Sequence, residues 1–273
     1  MKILVCVKQV LDPDGPIRIA ASGRTLEAAP DGLFRMNRFD EFALEAALQI
    51  REEFPGTRID ALTAGPARAA RTVRRALETG ADEGIHLLLE DDGCRTPFET
   101  ASLIGAFARD RRYDLILTGV MAEDDMQAQV GPMLAEILGC PWATAVMALH
   151  LTPPPESSSG PGVVRVEREL EGGRREAVAL TLPALLTIQS GANRPRYPTL
   201  SHVLRARSQA LETIPLSRLY ESGAGFAPPV RERLLGLEEP APLQTGLILA
   251  GSPEEKAEAL LRILRTRGSG LDF

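Results

Sequence analysis

Three features of the sequence predict a doubly wound α/β fold, in which helices cover both faces of a mostly parallel sheet. Apolar runs of strand length alternate with longer segments of helical period, which is the pattern of repeated βαβ units. Glycines stand where two of the helices are expected to end, at Gly80 and Gly139. Two alternating segments joined by Gly172 and Gly173 predict an antiparallel β-hairpin appended to the sheet. Right-handed crossovers arrange the remaining strands into one open sheet.

The elements follow in chain order. Strands are predicted at about Ile3–Val7, Ile59–Ala64, Ile85–Leu89, Leu115–Gly119, Ala143–Leu149 and Ala184–Ile188. Helices are predicted at about Phe39–Phe54, Ala67–Glu78, Thr96–Asp110 and Val130–Leu138. In the first helix, Asn37 is the expected N-cap and Asp40 stands at the third helical position. The hairpin comprises VVRVEREL, EGG and RREAVALTL.

The C-terminal quarter is patterned differently. The segment TPPPESSSGPG after Leu151 predicts a mobile loop tip, and beyond Tyr197 proline-spaced segments show little periodicity. An amphipathic helix is then predicted over Pro253–Arg267, with Ala257, Leu260, Leu261 and Leu264 on one side. We therefore expect an α/β domain over residues 1–200 and an arm over residues 201–273 that packs on this domain or on a partner.

Composition excludes several classes of protein. A net charge of -6 and 4% aromatic residues argue against nucleic-acid binding, which needs a clustered basic face or stacking rings. No run approaches the roughly 20 apolar residues of a membrane span. Three scattered cysteines, Cys6, Cys94 and Cys140, predict neither a disulfide framework nor a metal site. The opening MKILVCVKQV fits a buried strand better than a signal peptide, so a cytoplasmic location is expected.

One loop is a candidate ligand site. In TGVMAEDDMQAQVGPML, the chain leaves the strand that ends at Gly119 and enters the helix that begins at Val130, where uncapped N–H groups attract anions. Gly131 allows a close approach of another group. The three consecutive acidic residues of this loop, EDD at 123–125, also fit a solvated helix entry, and the residues alone favour that interpretation over a ligand site. Neither GxxxxGK[ST] nor GxGxxG occurs, and the isolated histidines predict no catalytic residue.

Several motifs in order resemble the beta subunit of electron transfer flavoproteins, over residues 1 to about 210. They are VCVKQV, MNRFDEFALEAAL, TAGPARAARTVRRALETGAD, DLILTGVMAEDDMQAQVGPMLAEILG, the EREL-EGG-RRE hairpin and NRPRYPTL. The resemblance implies a Rossmann-like fold related to adenine-nucleotide hydrolases. It also implies a heterodimer with an alpha subunit that holds FAD and packs against the C-terminal arm. The beta subunit of the family binds AMP or, in electron-bifurcating members, a second FAD.

The resemblance also implies which residues contact the nucleotide. The positions that match the family motifs are Cys6, Asn37, Arg38, Phe39, Asp40, Ala64, Ala122, Glu123, Asp124, Asp125, Met126, Gln127, Ala128, Gln129, Val130 and Gly131. Glu123 and Met126 depart from the family pattern. Val130 has no hydroxyl to donate to a phosphate, and AQVGP is similar to the bifurcating group, whose members accept hydride from NADH. We therefore expect FAD rather than AMP in this subunit.

A second set of positions matches the loop that contacts a partner flavin-dependent dehydrogenase, such as an acyl-CoA dehydrogenase. They are Gly191, Ala192, Asn193, Arg196 and Tyr197. The family commonly has a leucine anchor where this chain has Ala192. A methyl group buries less apolar area than an isobutyl group, which weakens the binding free energy of a single-anchor interface by about 1–2 kcal/mol. Ordinary acyl-CoA dehydrogenases are therefore expected to couple weakly.

Two other classes share this fold. A free-standing AMP- or ATP-binding module similar to universal stress proteins is the first alternative, which the hairpin and the long tail disfavour. An adenylating pyrophosphatase is the second, but QVLDPDG stands where that enzyme needs a glycine- and serine-rich loop.

Overall fold

The computed structural model describes residues 1–28, 33–90, 95–152, 162–221, 232, 234–241 and 246–267. Its backbone contacts divide the chain into two compact units, Met1–Leu237 and Glu238–Phe273. Most of the predicted loop tip and Cys94 lie outside the described residues.

The first unit carries the strands of an α/β fold. They are β1 (Lys2–Cys6), β2 (Gln9–Leu11), β3 (Ile17–Ile19), β4 (Leu26–Ala28), β5 (Phe34–Met36), β6 (Arg58–Gly65), β7 (Glu83–Leu88), β8 (Leu115–Gly119), β9 (Trp142–Thr152), β10 (Val163–Glu169), β11 (Arg175–Thr181), β12 (Ala184–Ile188) and β13 (Glu212–Pro215). The helices are α1 (Arg38–Glu53), α2 (Ala70–Thr79), α3 (Pro97–Ala108), α4 (Val130–Leu138), α5 (Leu200–Ser208) and α6 (Leu216–Glu221). The predicted core strands and helices are confirmed, with shifts of a few residues at their ends.

The main sheet has the strand order β11-β10-β9-β12-β8-β1-β6-β7-β13. All neighbours from β9 to β13 pair in parallel, whereas β10 pairs antiparallel with both β9 and β11. The order reverses beside β1, since the chain proceeds from β1 to β6 and β7 and then returns to β8 on the other side. The predicted doubly wound sheet with a hairpin is therefore confirmed, and its switch point lies between β1 and β8.

Two buried apolar clusters, one on each face of the sheet, hold the unit together. One cluster combines α1 and α2 with residues such as Val5 and Leu117, and the other combines α3 and α4 with residues such as Leu4 and Ile116. Alternate residues of β1 and β8 thus enter opposite clusters, as expected for strands covered on both faces. Thr96 caps α3 in a reciprocal capping box with Glu99.

The region beyond Tyr197 contains structure that the sequence pattern did not reveal. Helix α5 packs on α2, and β13 adds a parallel strand beside β7. Helix α5 has no clear hydrophobic periodicity because only its Ala206 is buried. Strand β13 is too short to show one, since it has four residues and one of them is Pro215. The short ribbons β2–β5 and β3–β4 were also absent from the prediction.

In the second unit, helix α7 (Pro253–Arg267) is formed as predicted. Ser252 and Glu255 form a reciprocal capping pair at its start, because each backbone N–H is bound by the other side chain. Leu260, Leu261 and Leu264 are between 40% and 49% exposed. Among the helices that the structure describes, none has the length and apolar character required to span a membrane.

Candidate functional site

Asp40 joins the two strands at the switch point. Its Oδ2 accepts the backbone N–H of Lys8 at 2.7 Å, just after β1, and its Oδ1 accepts the N–H of Gly119 at 3.0 Å, at the end of β8. The side chain is buried at the first turn of α1. Asp40 therefore fixes the start of α1 against the carboxyl ends of both strands.

Gly119 is required by this close approach. A Cβ at position 119 would lie 2.6 Å from Asp40 Oδ1 and 2.6 Å from the Cβ of Phe39. Any side chain there would push α1 away from β8. The glycine thus allows the helix to begin directly over the strand end.

Asn37 is the N-cap of α1 by position, but the expected capping hydrogen bond is absent. Its Nδ2 instead donates to the carbonyl of Met121 at 2.9 Å, and its Oδ1 accepts the N–H of Glu123 at 3.1 Å. The side chain is 1% exposed, so both contacts are shielded from water. A buried amide needs hydrogen-bond partners for its polar atoms, and Asn37 finds them in the loop after β8 rather than at the start of its own helix.

The three acidic residues of this loop all have cationic or N–H partners. Glu123 contacts Arg35 at 3.1 Å and the N–H of Arg38 at 3.2 Å. Asp124 and Asp125 lie 2.6 Å and 3.0 Å from Nζ of Lys8. The carboxylates are therefore turned toward β1, β5 and α1, and their charge is compensated. The repulsion that an acidic loop would exert on a phosphate is correspondingly reduced.

The second half of the loop has a different character. Met126 and Ala128 adopt left-handed backbone conformations with φ of 51° and 55°, which few residues other than glycine favour. Residues 126–129 are exposed, and α4 begins after Gln129 without a side-chain cap. The first-turn N–H groups of α4 consequently remain available to an anion.

Gly131 has a packing role. A Cβ at this position would lie 2.5 Å from Cγ2 of Thr187 on β12 and 3.3 Å from Oγ1 of Thr118 on β8. The expected close approach is confirmed, but the group that approaches is the chain's own sheet. The glycine therefore places the α4 N-terminus against the strand ends.

Burial changes the acid–base properties of residues at the carboxyl ends of β1 and β8. Desolvation raises the pKa of Asp40 to about 7, despite the N–H groups that it accepts. Burial and the nearby Asp40 also raise the pKa of the Cys6 thiol. Burial lowers the pKa of Lys8, but Asp124 and Asp125 outweigh that effect and raise it. Cys6 is thus a neutral, 8% exposed residue of β1 that packs in the core, and Lys8 is a cation.

Two cavities open at this edge of the sheet. One of about 540 Å³ is lined by Pro66–Arg68 and Leu88–Glu90, beyond the ends of β6 and β7, and Ala64 lies near the end of β6. The other, of about 900 Å³, is lined by Arg38, Phe39, Phe42, Glu123, Ser190, Gly191, Asn193, Arg194 and Pro195. The larger cavity combines residues from both predicted sites, the nucleotide positions and the docking loop.

The predicted docking segment is held by α1. Asn193 Nδ2 donates to the carbonyl of Phe42 at 2.9 Å, and Arg196 contacts Glu45 at 2.7 Å and Glu52 at 2.6 Å. Hydrogen bonding to Glu45 and then Glu52 raises the pKa of Arg196. Asn193 and Arg196 therefore fix the segment to this chain.

Two other positions of the segment differ sharply in exposure. Ala192 is partly buried against the core, whereas Tyr197 is 89% exposed. Of these two side chains, Tyr197 is the one available to another protein.

Sequence patterns missed the residues that position these loops. Lys8, Arg35 and Glu45 were not predicted, although each contacts a predicted site residue. Glu45 is 4% exposed and lies among buried alanines and leucines of α1. A carboxylate on the apolar side of a helix was the available signal, because a buried charge requires a partner.

Comparisons with known proteins point to one family. The family model described as "Electron transfer flavoprotein domain" matches residues 26–219. The electron transfer flavoprotein subunit beta of Bacillus subtilis (strain 168) is 31% identical over 269 residues, covering 97% of this chain and 98% of that protein. The mitochondrial subunit beta of Oryza sativa subsp. japonica is 36% identical over 216 residues, with 78% and 81% covered. The human subunit beta is 33% identical over 216 residues, with the same coverage.

Proposed function

This chain belongs to the electron transfer flavoprotein family as a beta subunit, and on that premise we propose that it binds FAD in the crevice between β1 and β8. It does so within a heterodimer whose alpha subunit holds a second FAD. The heterodimer passes electrons between flavin-dependent dehydrogenases and an acceptor. The observation that carries the proposal is the convergence of Asp40, the uncapped α4 N-terminus and the 121–131 loop at the switch point.

The residues present fit an adenine nucleotide with a diphosphate. N–H groups at the start of α4 and the cation Lys8 suit phosphate, and neither requires a side-chain hydroxyl. Exposed Gln127 and Gln129 offer amide donors and acceptors for sugar hydroxyls or ring nitrogens. Cys6 and Asp40 are buried, so they shape the floor of the crevice rather than line its mouth.

FAD is favoured over AMP by the second half of the loop. Val130 has no hydroxyl to donate to a terminal phosphate, and Met126, which is 69% exposed, has no hydrogen-bond donor in its side chain. The exposed residues 126–129 leave room for a longer ligand. NADH oxidation at this flavin and a cytoplasmic location belong to the same proposal.

The chain's own contribution is binding and orientation. A bound flavin supplies the redox chemistry. Asp40 and Asn37 hold the strand ends and the 121–125 loop in place, Lys8 compensates negative charge, and the apolar core beneath excludes water from the crevice floor. The resulting site is rigid on its β1 side and adaptable on its α4 side.

Nucleotide analysis of the purified heterodimer tests the proposal. The chain is produced together with its alpha subunit, the complex is extracted with acid, and the released nucleotides are separated by chromatography. Two FAD per heterodimer are expected. One FAD plus one AMP would contradict the FAD assignment while leaving the crevice as a nucleotide site, and a beta subunit without any nucleotide would contradict both.

A matched pair of variants locates the nucleotide. Gly131→Ala, which forces α4 away from β12, is expected to release the beta-subunit nucleotide and to leave one FAD per heterodimer. Gly139→Ala at the other end of α4 is the control, because nothing lies within 4 Å of an added Cβ there. Its positive φ of 68° strains the fold without altering the crevice.

A further inference from the structure

Strand β9 carries a β-bulge at the edge of the sheet where the candidate site lies. Leu186 and Ile188 of β12 pair with residues 143 and 146 of β9, so β9 contains one extra residue here. Ala145 lies within this stretch and has a φ of 54°, which residues other than glycine seldom adopt. Bulges are frequent next to functional sites, where they redirect a side chain.

Two side chains, one from each neighbouring strand, hold the bulge in place. Thr187 Oγ1 on β12 accepts the backbone N–H of Ala145 at 3.2 Å. On the other side, a guanidinium nitrogen of Arg168 on β10 donates to Oγ1 of Thr144 at 3.0 Å. A strained backbone persists only where its surroundings fix it, and such strain is concentrated at functional sites. The bulge is therefore a fixed part of this sheet edge.

Thr187 also contacts the start of α4. It pairs with Thr118 on β8, and a Cβ on Gly131 would lie 2.5 Å from Cγ2 of Thr187 and 3.3 Å from Oγ1 of Thr118. The two threonines differ in their hydroxyl contacts. Thr118 donates to the carbonyl of Gly119 at 2.8 Å, whereas the Thr187 hydroxyl binds the bulge at Ala145. Thr187 thus connects the bulge to Gly131.

Gly131 carries one of the N–H groups that α4 offers to an anion. The N–H of Met133 already binds the carbonyl of Gln129 at 3.1 Å, and Pro132 has no N–H. The N–H groups of Val130 and Gly131 are therefore the donors at this helix start. A displacement of Gly131 directly changes the length of a hydrogen bond from α4 to a phosphate.

We infer that Thr187 is a positioning residue for the phosphate groups of the nucleotide, because its hydroxyl binds the β9 bulge while its methyl group supports Gly131. This rests on the proposed function, which places the nucleotide in the crevice. At 1% exposure, the side chain lies beneath the crevice and acts through α4 rather than on the ligand.

The two groups of the threonine side chain have separate tasks. The hydrogen bond to Ala145 fixes the rotamer of Thr187, so the methyl group remains under Gly131. Valine would supply the methyl group without the hydroxyl, and serine the hydroxyl without the methyl group. The first turn of α4 is therefore fixed from below, and the adaptable part of the site is the exposed stretch 126–129.

Nucleotide titrations test the inference. Nucleotide-free heterodimer is titrated with FAD and followed by flavin fluorescence, and the alpha-subunit site is the internal reference. Thr187→Val leaves the N–H of Ala145 without its partner. We expect the Kd of the beta-subunit site to rise about tenfold and that of the alpha-subunit site to stay unchanged. An unchanged Kd at the beta-subunit site would overturn the inference.

The conservative variant Thr187→Ser keeps the hydroxyl and is expected to raise the Kd only about threefold. A serine variant that binds FAD more weakly than the valine variant would contradict the role of the hydroxyl and overturn the inference.

A second substitution separates positioning from fold stability. Ala145→Gly removes backbone strain, because glycine adopts a φ of 54° readily. Added to Thr187→Val, it is expected to restore the midpoint of urea unfolding but not the Kd for FAD. Recovery of the Kd as well would show that Thr187 acts through stability alone, which would overturn the inference.

Thr63→Val is the matched control. Thr63 is also 1% exposed in a core strand, and within the described part of the chain its hydroxyl has no hydrogen-bond partner. Its replacement is expected to leave the Kd unchanged. A rise equal to that of Thr187→Val would mean that binding responds to any lost hydroxyl in the sheet, and the inference would fall.

Failure of the inference and failure of the proposed function are distinguishable. A wild-type heterodimer whose beta subunit binds neither FAD nor AMP would overturn both. If the wild type holds AMP, the same variants are titrated with AMP, whose phosphate meets the same N–H groups, and the same changes in Kd are expected. Normal FAD binding by the wild type and by Thr187→Val alike would overturn the inference alone.

Discussion

Two segments leave the same edge of the sheet, and they are held in different ways. The segment after β8 contains three carboxylates, and the segment after β12 contains only cations among its charged residues. Because β8 and β12 are parallel neighbours, both segments emerge beside α1. Asn37 and Asp40 of the first α1 turn hold the β8 segment, whereas the Phe42 carbonyl and Glu45, farther along the helix, hold the β12 segment.

The difference shows that one helix holds two loop segments at different positions along its length. The contacts of the β8 segment with Lys8, Arg35 and α1 lie in its first half, and residues 126–129 are exposed. The β12 segment is held on α1 at Asn193 and Arg196, and it presents Tyr197 outward. A ligand site benefits from one mobile side, while a docking surface benefits from complete order. Changes in α1 are therefore expected to separate the two activities.

The largest expected effect is the pH dependence of the free energy of unfolding that results from the titration of Asp40. Its pKa is raised to about 7 in the folded protein, against about 3.9 for an unfolded Asp. Between these values the folded state binds more protons than the unfolded state, so the free energy of unfolding falls as pH rises from 4 to 7. Relative to Asp40→Asn, which does not titrate, wild-type stability should fall by up to about 4 kcal/mol.

Urea unfolding of both proteins at several pH values measures this change. The difference between the two curves cancels all other titrating groups, so Asp40→Asn is its own control. A difference that stays constant from pH 4 to 8 would show that Asp40 is ionised throughout and that the N–H groups of Lys8 and Gly119 outweigh its burial.

The positions of Asn37 and Asp40 were predictable, but their contacts were not. A helix start at residues 37–40 follows from local pattern, and the carboxyl ends of β1 and β8 meet by the rules of parallel sheets. The bonds from Asn37 to Met121 and Glu123 span more than eighty residues, and local capping rules assigned that amide to its own helix. Long-range partners of buried polar groups depend on tertiary packing, which periodicity does not encode.

The same limit applies to the β12 segment. The NRPRY motif was recognised by resemblance, but the partial burial of Ala192 and the exposure of Tyr197 were not. Arg196, between them, is held by Glu45, which lies 151 residues away in the sequence. Helix α5 carried an identifiable start signal at Thr199, whose side chain accepts the N–H of His202. The remainder of α5 was not predicted because its apolar stripe is weak, with only Ala206 buried.

Arg196→Met should produce the second largest change in the free energy of unfolding. It leaves the buried Glu45 carboxylate without its cation, and because Arg196 is partly exposed we expect a loss of about 2–3 kcal/mol rather than the full cost of a buried pair. Urea unfolding measures the loss. Docking kinetics should weaken while the nucleotide content stays normal. The double variant Glu45→Met with Arg196→Met should recover most of the stability, and a double variant as unstable as the single one would argue against the pair.

Gly131→Ala should lower the free energy of unfolding by less than Arg196→Met does. Unlike Arg196→Met, it should affect nucleotide binding. The added Cβ overlaps Thr187 on β12, which costs about 1–2 kcal/mol after α4 shifts. Because the shift displaces the α4 N-terminus, nucleotide content should fall while docking kinetics of the remaining holoprotein stay normal. Equal loss of both activities would show that the two segments are coupled rather than independently held.

Lys8→Met tests the charge compensation in the β8 segment and should have the smallest effect on stability. Lys8 is 41% exposed, and its pairs with Asp124 and Asp125 are close to solvent, so their loss should cost under about 1 kcal/mol. Affinity for the nucleotide should nevertheless fall about tenfold, because two carboxylates lose their counter-charge near the phosphate site. Fluorescence titration of the nucleotide-free heterodimer with FAD measures this loss of affinity.

The control is the triple variant that combines Lys8→Met with Asp124→Asn and Asp125→Asn, which should recover part of the affinity. No recovery would mean that Lys8 acts on the ligand directly rather than through the loop.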